Sequence, residues 1–139
     1  MELQNIIYWL KWAAALLGAG LSTLMGGWDM GLKVMVLFVI CDYVTGVVAA
    51  WKEKELDSNV GLFGIAKKIM IFVPVALGYW LDQYLGADIL RNVAIWAYVV
   101  NEGLSVAENL GRIGVFVPPA FVEALQQLKE KSANGKVGQ

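Results

Sequence analysis

The chain of 139 residues contains no histidine and a single cysteine, Cys41. Histidine is the commonest general base, proton shuttle and metal ligand, so its absence removes the usual basis for acid–base and metal-dependent catalysis. One cysteine excludes an intrachain disulfide and any multi-cysteine metal site. We therefore predict that the protein is not an enzyme and holds no catalytic residue, metal or cofactor.

Charge is also scarce: charged residues make up 17% of the chain, and the formal net charge is −1. This is too little to coat a soluble globule, and the balance does not favour nucleic acid as a partner. Hydrophobic residues instead reach 58%, with a mean hydropathy of +0.59, whereas soluble domains average about 45–50% apolar residues. The composition predicts an all-α integral membrane protein with lipid as its surroundings.

Four hydrophobic segments, at about 6–28, 34–51, 69–85 and 89–110, are candidates for transmembrane helices. The fourth is the weakest because it contains several polar residues, so we predict three to four spans and favour four. The first lacks a clear signal-peptidase site, and we expect it to be retained as a helix. Residues 1–111 would form the membrane domain, with a polar hinge at 52–68 that turns at Asp57, Ser58 and Asn59. Residues 112–139 would form a cytoplasmic tail, with a short amphipathic helix at about 120–131 on the membrane surface.

The positions of lysine and arginine predict a topology, because cytoplasmic segments carry an excess of both. With both termini in the cytoplasm, nine of the eleven positive charges lie inside, and only Lys33 and Arg91 fall in outer loops. A three-span arrangement, with the first segment at the interface, also keeps the hinge and tail inside. The inside set is Lys11, Lys52, Lys54, Lys67, Lys68, Arg112, Lys129, Lys131 and Lys136.

An aspartate, Asp42, lies in the middle of the most hydrophobic segment, where a charge costs roughly 2.5–3.5 kcal/mol on insertion scales. On a helix it shares a face with Gly46 and Ala49, with Thr45 at the edge. No cationic residue is predicted at its depth or at that of Glu102. A polar stripe on the fourth segment comprises Asn101, Glu102, Ser105, Glu108 and Asn109, followed by Arg112, which can pair with Glu108.

Two interpretations of these polar residues are open: a hydrogen-bonded helix contact, or a polar wall that faces water once several copies assemble. Their number favours the wall. Small residues recur at every fourth position of the first segment, at Ala14, Gly18 and Ser22. Such stripes allow close helix packing in lipid. They fit either packing within the chain or self-association of several chains.

Two blocks of this sequence resemble a known family. The first is Asp42-Tyr43-Val44-Thr45-Gly46 with the later Gly64-Ile65 and Lys67-Lys68, and the second is Asn101-Glu102 with Glu108-Asn109-Leu110-Gly111. Their order and spacing are similar to those of the phage-lysis and toxin-secretion holins of Gram-positive bacteria and their phages. The likeness extends from about Asp42 to Leu128.

The resemblance implies a multi-pass protein of the host cytoplasmic membrane that accumulates and then oligomerises into lesions. Through these an endolysin reaches the cell wall and the host is lysed, and some relatives are linked to toxin release instead. An antiholin is a possible further partner. Two rival functions remain: a small proton-coupled transporter, and an antiholin or membrane assembly partner without pore activity. The transporter is disfavoured because the first deep acid lies in the second segment rather than the first.

Overall fold

The computed structural model of the chain describes residues 2–133, and these residues form six α-helices with no strand among them. The predicted all-α class is therefore confirmed. The helices are α1 (Leu3–Leu24), α2 (Met30–Lys52), α3 (Ser58–Met70), α4 (Phe72–Leu85), α5 (Leu90–Ile113) and α6 (Pro119–Ala133).

The apolar core lies between α2 and α5. Leu32, Met35 and Val39 recur at spacings of three and four on α2, so they project from one face of the helix. Ile95 and Val99 recur at a spacing of four on α5, and all five side chains are buried. Val75 of α4 completes this layer and is fully buried.

Helices α2 and α5 are parallel and lie side by side over their whole length. At their N-terminal ends, a Cβ atom on Gly31 would lie 3.5 Å from Ile95 Cγ2. At their C-terminal ends, Lys52 Nζ donates hydrogen bonds of 2.9 Å to the carbonyl oxygens of Arg112 and Ile113. These carbonyls lie in the last turn of α5, where the C=O groups of a helix have no N–H partner within the helix itself.

The hinge predicted at 52–68 is wrong, because only residues 53–57 separate α2 from α3. Asp57 is the N-cap of α3, and its Oδ1 accepts hydrogen bonds from the backbone N–H groups of Asn59 (2.7 Å) and Val60 (3.3 Å). These bonds satisfy donors that would otherwise lack partners at a helix start. The residues interpreted as a turn therefore begin a helix, which carries Lys67 and Lys68, two of the four lysines of the predicted hinge.

Helices α3 and α4 form one path interrupted at Ile71. Pro74 has no N–H group to bond the carbonyl of Met70, and its ring crowds that carbonyl. The predicted third segment, 69–85, therefore corresponds only to the second half of a helical stretch that begins at Ser58.

Helix α1 stands apart from the bundle, and none of its residues is buried. Gly26 and Gly27 turn the chain after it with φ angles of +85° and +103°, a conformation that favours glycine. Of the small residues predicted to pack helices together, Ala14 and Gly18 are exposed and Ser22 is half-buried. The chain's own helices therefore leave most of this stripe uncovered.

Three helical stretches of the described chain are long and apolar enough to cross a membrane: Leu3–Leu24, Met30–Lys52 and Ser58–Leu85. The protein is thus an all-α membrane protein, as predicted. Helix α5 has 24 residues, but it is not among the three. Its buried residues include Arg91 and Glu102, which lower its mean hydropathy.

The predicted tail helix is present as α6, and it packs on α5. Leu125 is 8% exposed, and its Cδ1 would lie 3.1 Å from a Cβ atom on Gly103 of α5. The last part of the predicted tail, residues 134–139, lies outside the described residues.

The close approach of α4 to α5 depends on Gly78. A Cβ atom there would lie 2.9 Å from the backbone nitrogen of Arg91 and 3.0 Å from its Cα. Gly78→Ala must push the two helices apart, and we expect it to lower the free energy of unfolding by about 1–3 kcal/mol. Denaturation of the purified protein in mixed detergent micelles measures the change.

Gly64→Ala on α3 is the matched control, because a Cβ atom there meets nothing within 4 Å. Alanine is the better helix former, so this variant should be neutral or gain up to about 1 kcal/mol. Equal losses in the two variants would contradict the proposed close contact at Gly78.

Candidate functional site

The charge of Asp42 is paired inside the bundle by a lysine from α3. Lys68 Nζ donates a hydrogen bond to Asp42 Oδ2 and a second, of 2.5 Å, to Glu102 Oε2. The side chains of Lys68, Asp42 and Glu102 are 20%, 12% and 7% exposed. Helices α2, α3 and α5 thus contribute one charged side chain each.

The prediction that Asp42 and Glu102 have no cationic residue at their depth is therefore wrong. It depended on the supposed hinge, which placed Lys68 at the membrane edge. Because α3 is a helix that begins at Ser58, Lys68 lies about 15 Å along it. This distance brings the ammonium group to the middle of α2.

Asn109 of α5 completes the arrangement. Its Nδ2 donates to Asp42 Oδ1 at 2.9 Å and approaches Thr45 Oγ1 at 3.2 Å. A Cβ atom on Gly46 would lie 3.4 Å from the same nitrogen, so a small residue there gives the amide room. We call Asp42, Lys68, Glu102 and Asn109 the ionic cluster.

The structure brings together only part of the predicted polar set. Asp42, Thr45, Glu102 and Asn109 meet, whereas Asn101 and Glu108 are exposed on α5. Ser105 is half-buried and lies at the edge of a cleft described below. Of the predicted packing residues on α2, Ala49 is fully buried.

Arg112 does not form the predicted pair with Glu108. It hydrogen-bonds instead to Glu53 beyond the end of α2, with Nε 3.1 Å from Oε1. Its Nη1 also donates to Asn109 Oδ1 at 3.2 Å. The hydrogen bond from Arg112 holds the pKa of the exposed Glu53 carboxyl below its ordinary value. Arg112 thus links Glu53, at the end of the bundle, to Asn109 of the ionic cluster.

The four lysines assigned to the cytoplasmic side differ in their surroundings. Lys52 closes the C-terminal end of α5, and Lys54 is exposed in the connection to α3. Lys67 is exposed, and its Nζ lies 5.0 Å from the centre of the Phe63 ring. Lys68 alone points into the bundle.

An open cleft of about 410 Å³ connects the ionic cluster to one end of the bundle. It lies between α2, α3 and α5, and it extends from Glu55 and Asp57 to Asp42 and Lys68. Water that enters from this end can therefore reach the charged groups without crossing the apolar core. The arrangement can hold charge inside an apolar bundle and present it to solvent along one path.

A second polar cluster at the opposite end was not predicted. Arg91 is 8% exposed; its Nη1 lies 2.6 Å from Asp29 Oδ2, and its Nε donates to the carbonyl oxygen of Met25. Asp82 of α4, 2% exposed, accepts hydrogen bonds from the backbone N–H groups of Leu90 (3.0 Å) and Arg91 (2.9 Å). We call Asp29, Asp82 and Arg91 the terminal clasp.

The clasp satisfies the first N–H groups of α5 and joins three helix ends. Its hydrogen bond from Arg91 holds the pKa of Asp29 below the ordinary value. The sequence signal for the terminal clasp was Asp82, an aspartate near the end of an apolar segment. This signal alone does not identify the groups that bond to it.

These features define an α-helical membrane protein that holds paired charges inside an apolar bundle. The sequence pattern of the bacteriophage holin family matches residues 19–130. The chain therefore belongs to the bacteriophage holin family, and the predicted resemblance is confirmed.

Individual relatives agree with this. The chain is 39% identical over 131 residues to an uncharacterized 14.9 kDa protein of Clostridium perfringens, covering 93% of this chain and 99% of the relative. It is 40% identical over 126 residues to an uncharacterized protein of Halalkalibacterium halodurans, covering 86% and 93%. It is 35% identical over 99 residues to a probable holin of Bacillus phage phi105, covering 70% and 73%. No solved structure matches the chain significantly.

Removal of the cation from the ionic cluster should destabilise the bundle. Lys68→Met leaves two buried carboxylates facing each other without a cation between them, and loss of one member of a buried charge pair costs about 3–5 kcal/mol. We expect a loss of this size in the free energy of unfolding, measured in mixed detergent micelles.

Lys67→Met is the matched control, because this neighbouring lysine is exposed and contacts only an exposed ring. We expect a change below about 1 kcal/mol for it. If both variants lost the same stability, the ionic cluster would not be a structural element of the fold.

Proposed function

We propose that this protein is a holin that accumulates in the bacterial cytoplasmic membrane and oligomerises into lesions. Through the lesions an endolysin reaches the cell wall, which ends in lysis of the host cell. The observation that carries the proposal is the ionic cluster, a set of charges paired at the centre of an apolar bundle and reached by a polar cleft. Membership of the holin family supports it.

Helix α5 is the fourth span in this proposal. It follows α2 from the Arg91–Asp29 pair at one end to the Lys52–Ile113 hydrogen bond at the other. If α2 crosses the membrane, α5 crosses beside it. Its polar residues Glu102 and Asn109 are compatible with this because they bond to α2 and α3 instead of facing lipid.

The proposed topology has both termini in the cytoplasm. With four spans, α2 and α5 cross from outside to inside and the α3–α4 stretch crosses between them in the opposite direction. The parallel α2–α5 pair agrees with this alternation. The C-terminal end of the pair, with Lys52, Lys54 and Arg112, is the more basic one and lies inside under the positive-inside rule.

In this proposal, the pairing of charges allows the protein to accumulate in the membrane without damaging it. Before assembly, the carboxylates are satisfied by Lys68 and Asn109 within one chain, so the bilayer need not solvate them. After assembly, the cleft side of several chains faces a common water-filled space. One charge moved across the field is worth about 2.3 kcal/mol per 100 mV. A change in the position of these groups therefore couples the assembly to the membrane potential.

The rival transporter function uses the same carboxylates for proton coupling. Liposomes that contain the purified protein, a trapped protein-sized marker and a small dye distinguish the two. We expect both markers to leak together, because a holin lesion is large. Retention of the protein marker with cation flux driven by a pH gradient would indicate a transporter. Retention of both markers would indicate an antiholin or an assembly partner.

The ionic cluster should also set the time of lysis. Glu102→Gln keeps the shape of the side chain but removes one of the two carboxylate charges of the ionic cluster. The change therefore weakens the attachment of α3. We expect lysis to begin earlier than in the parent at equal expression, measured by culture turbidity after induction.

Asp88→Asn is the control, since this exposed aspartate lies in the connection before α5, away from the cluster. We expect the parent lysis time for it. If Glu102→Gln lysed at the same time as the parent, the ionic cluster would have no role in triggering lysis.

A further inference from the structure

Helix α6 reaches the middle of the bundle. Leu125 is buried against Gly103, and its Cδ1 and Cδ2 atoms lie 3.1 and 3.3 Å from the place that a Cβ atom on Gly103 would occupy. Phe38 Cε1 of α2 lies 2.9 Å from the same place. A larger residue at 103 would displace both side chains, so the glycine allows this three-helix contact.

The depth of the contact follows from helix geometry. Gly103 lies ten residues before Ile113, or about 15 Å from the C-terminal end of α5. Phe38 lies eight residues after Met30, or about 12 Å from the N-terminal end of α2. Because the two helices are parallel neighbours, Leu125 lies near the middle of the membrane thickness that α2 would cross.

The outer surface of α6 at this depth is polar. Glu123, Gln126 and Gln127 lie within one turn of Leu125, and all three are exposed. A charged side chain facing lipid at such a depth is strongly unfavourable, and the exposed amides add to this cost. Lipid is therefore the wrong surrounding for the outer face of a docked α6.

The adjacent face of α5 has the same character. Asn101 and Glu108 are exposed there, whereas the exposed residues in the middle of α2 are apolar, with Leu37 at 56%, Ile40 at 55% and Val44 at 53%. Near mid-depth the bundle thus has an apolar side on α2 and a polar side on α5 and α6, whereas the N-terminal half of α5 exposes Val93 and Trp96.

We propose that α6 enters the membrane thickness and forms, with α5, the water-facing wall of the assembled protein. The inference rests on the proposed function, because only an assembly of chains encloses water at this depth. It assigns α6 to the lumen of the lesion instead of the membrane surface.

Two measurements on the full chain in liposomes test this, both with Cys41 replaced by alanine. The first is cross-linking of Phe38→Cys to Leu125→Cys by a short thiol-directed bismaleimide, whose reach covers the space that the two original side chains fill, and it reports α6 at mid-depth. The control pair is Leu37→Cys with Leu125→Cys, because Leu37 points away from the core. We expect most of the first pair and little of the control to cross-link.

The second measurement is the collision rate of a nitroxide at Gln127→Cys with a water-soluble nickel chelate and with oxygen, which concentrates in lipid. The comparison site is Val44→Cys on the apolar side of α2. We expect nickel accessibility to be several-fold higher at 127 than at 44, and oxygen accessibility to be lower.

Absence of the cross-link would overturn the inference, because α6 would then lie outside the membrane thickness. A cross-link with oxygen-accessible, nickel-protected label at 127 would also overturn it, because α6 would face lipid. Marker leakage from the same liposomes is scored separately. Leakage with either failure leaves the proposed function standing, whereas the expected cross-link and nickel access without leakage would contradict the proposed function alone.

Discussion

The arrangement of the bundle depends on one ammonium group held between two carboxylates inside an apolar bundle. Removing any of the three charges from solvent is costly, and the attraction between them offsets that cost only when the geometry is good. Lys68 meets this requirement by bonding both Asp42 and Glu102. The cluster is therefore weak evidence for stability, and we expect it to act mainly on the placement of α3 against α2 and α5.

The terminal clasp at Arg91 and the hydrogen bonds of Lys52 act on the two ends of the same α2–α5 pair. Between them lies an apolar layer that includes Leu32 and Val99, and apolar contacts alone tolerate sliding of one helix along another. Polar bonds at both ends and in the middle remove this freedom. The register of the pair is thus set by charge, and the close packing by the apolar layer.

Hydropathy and residue identity predicted the class, the approximate helices and the family, and they drew attention to Asp42. They missed Lys68 as its partner because the capping residue Asp57 was interpreted as part of a turn. They also underrated α5, since Glu102 and Asn109 lower its hydropathy whether they face lipid or protein. The docking of α6 could not be predicted, because Leu125 and Gly103 carry no local signal that they meet.

The positions of the cluster residues along the chain have a consequence for biosynthesis. Lys68 follows Asp42 by 26 residues, and Glu102 follows Lys68 by 34. A chain that inserts in the order of its synthesis therefore brings one acid into the bilayer first, then neutralises it with the lysine, and only later adds the second acid. The early hairpin of α2 and α3 is electrically neutral at its centre. The net negative charge of the cluster arises only when the last span joins, so the charged site comes into existence together with the complete bundle.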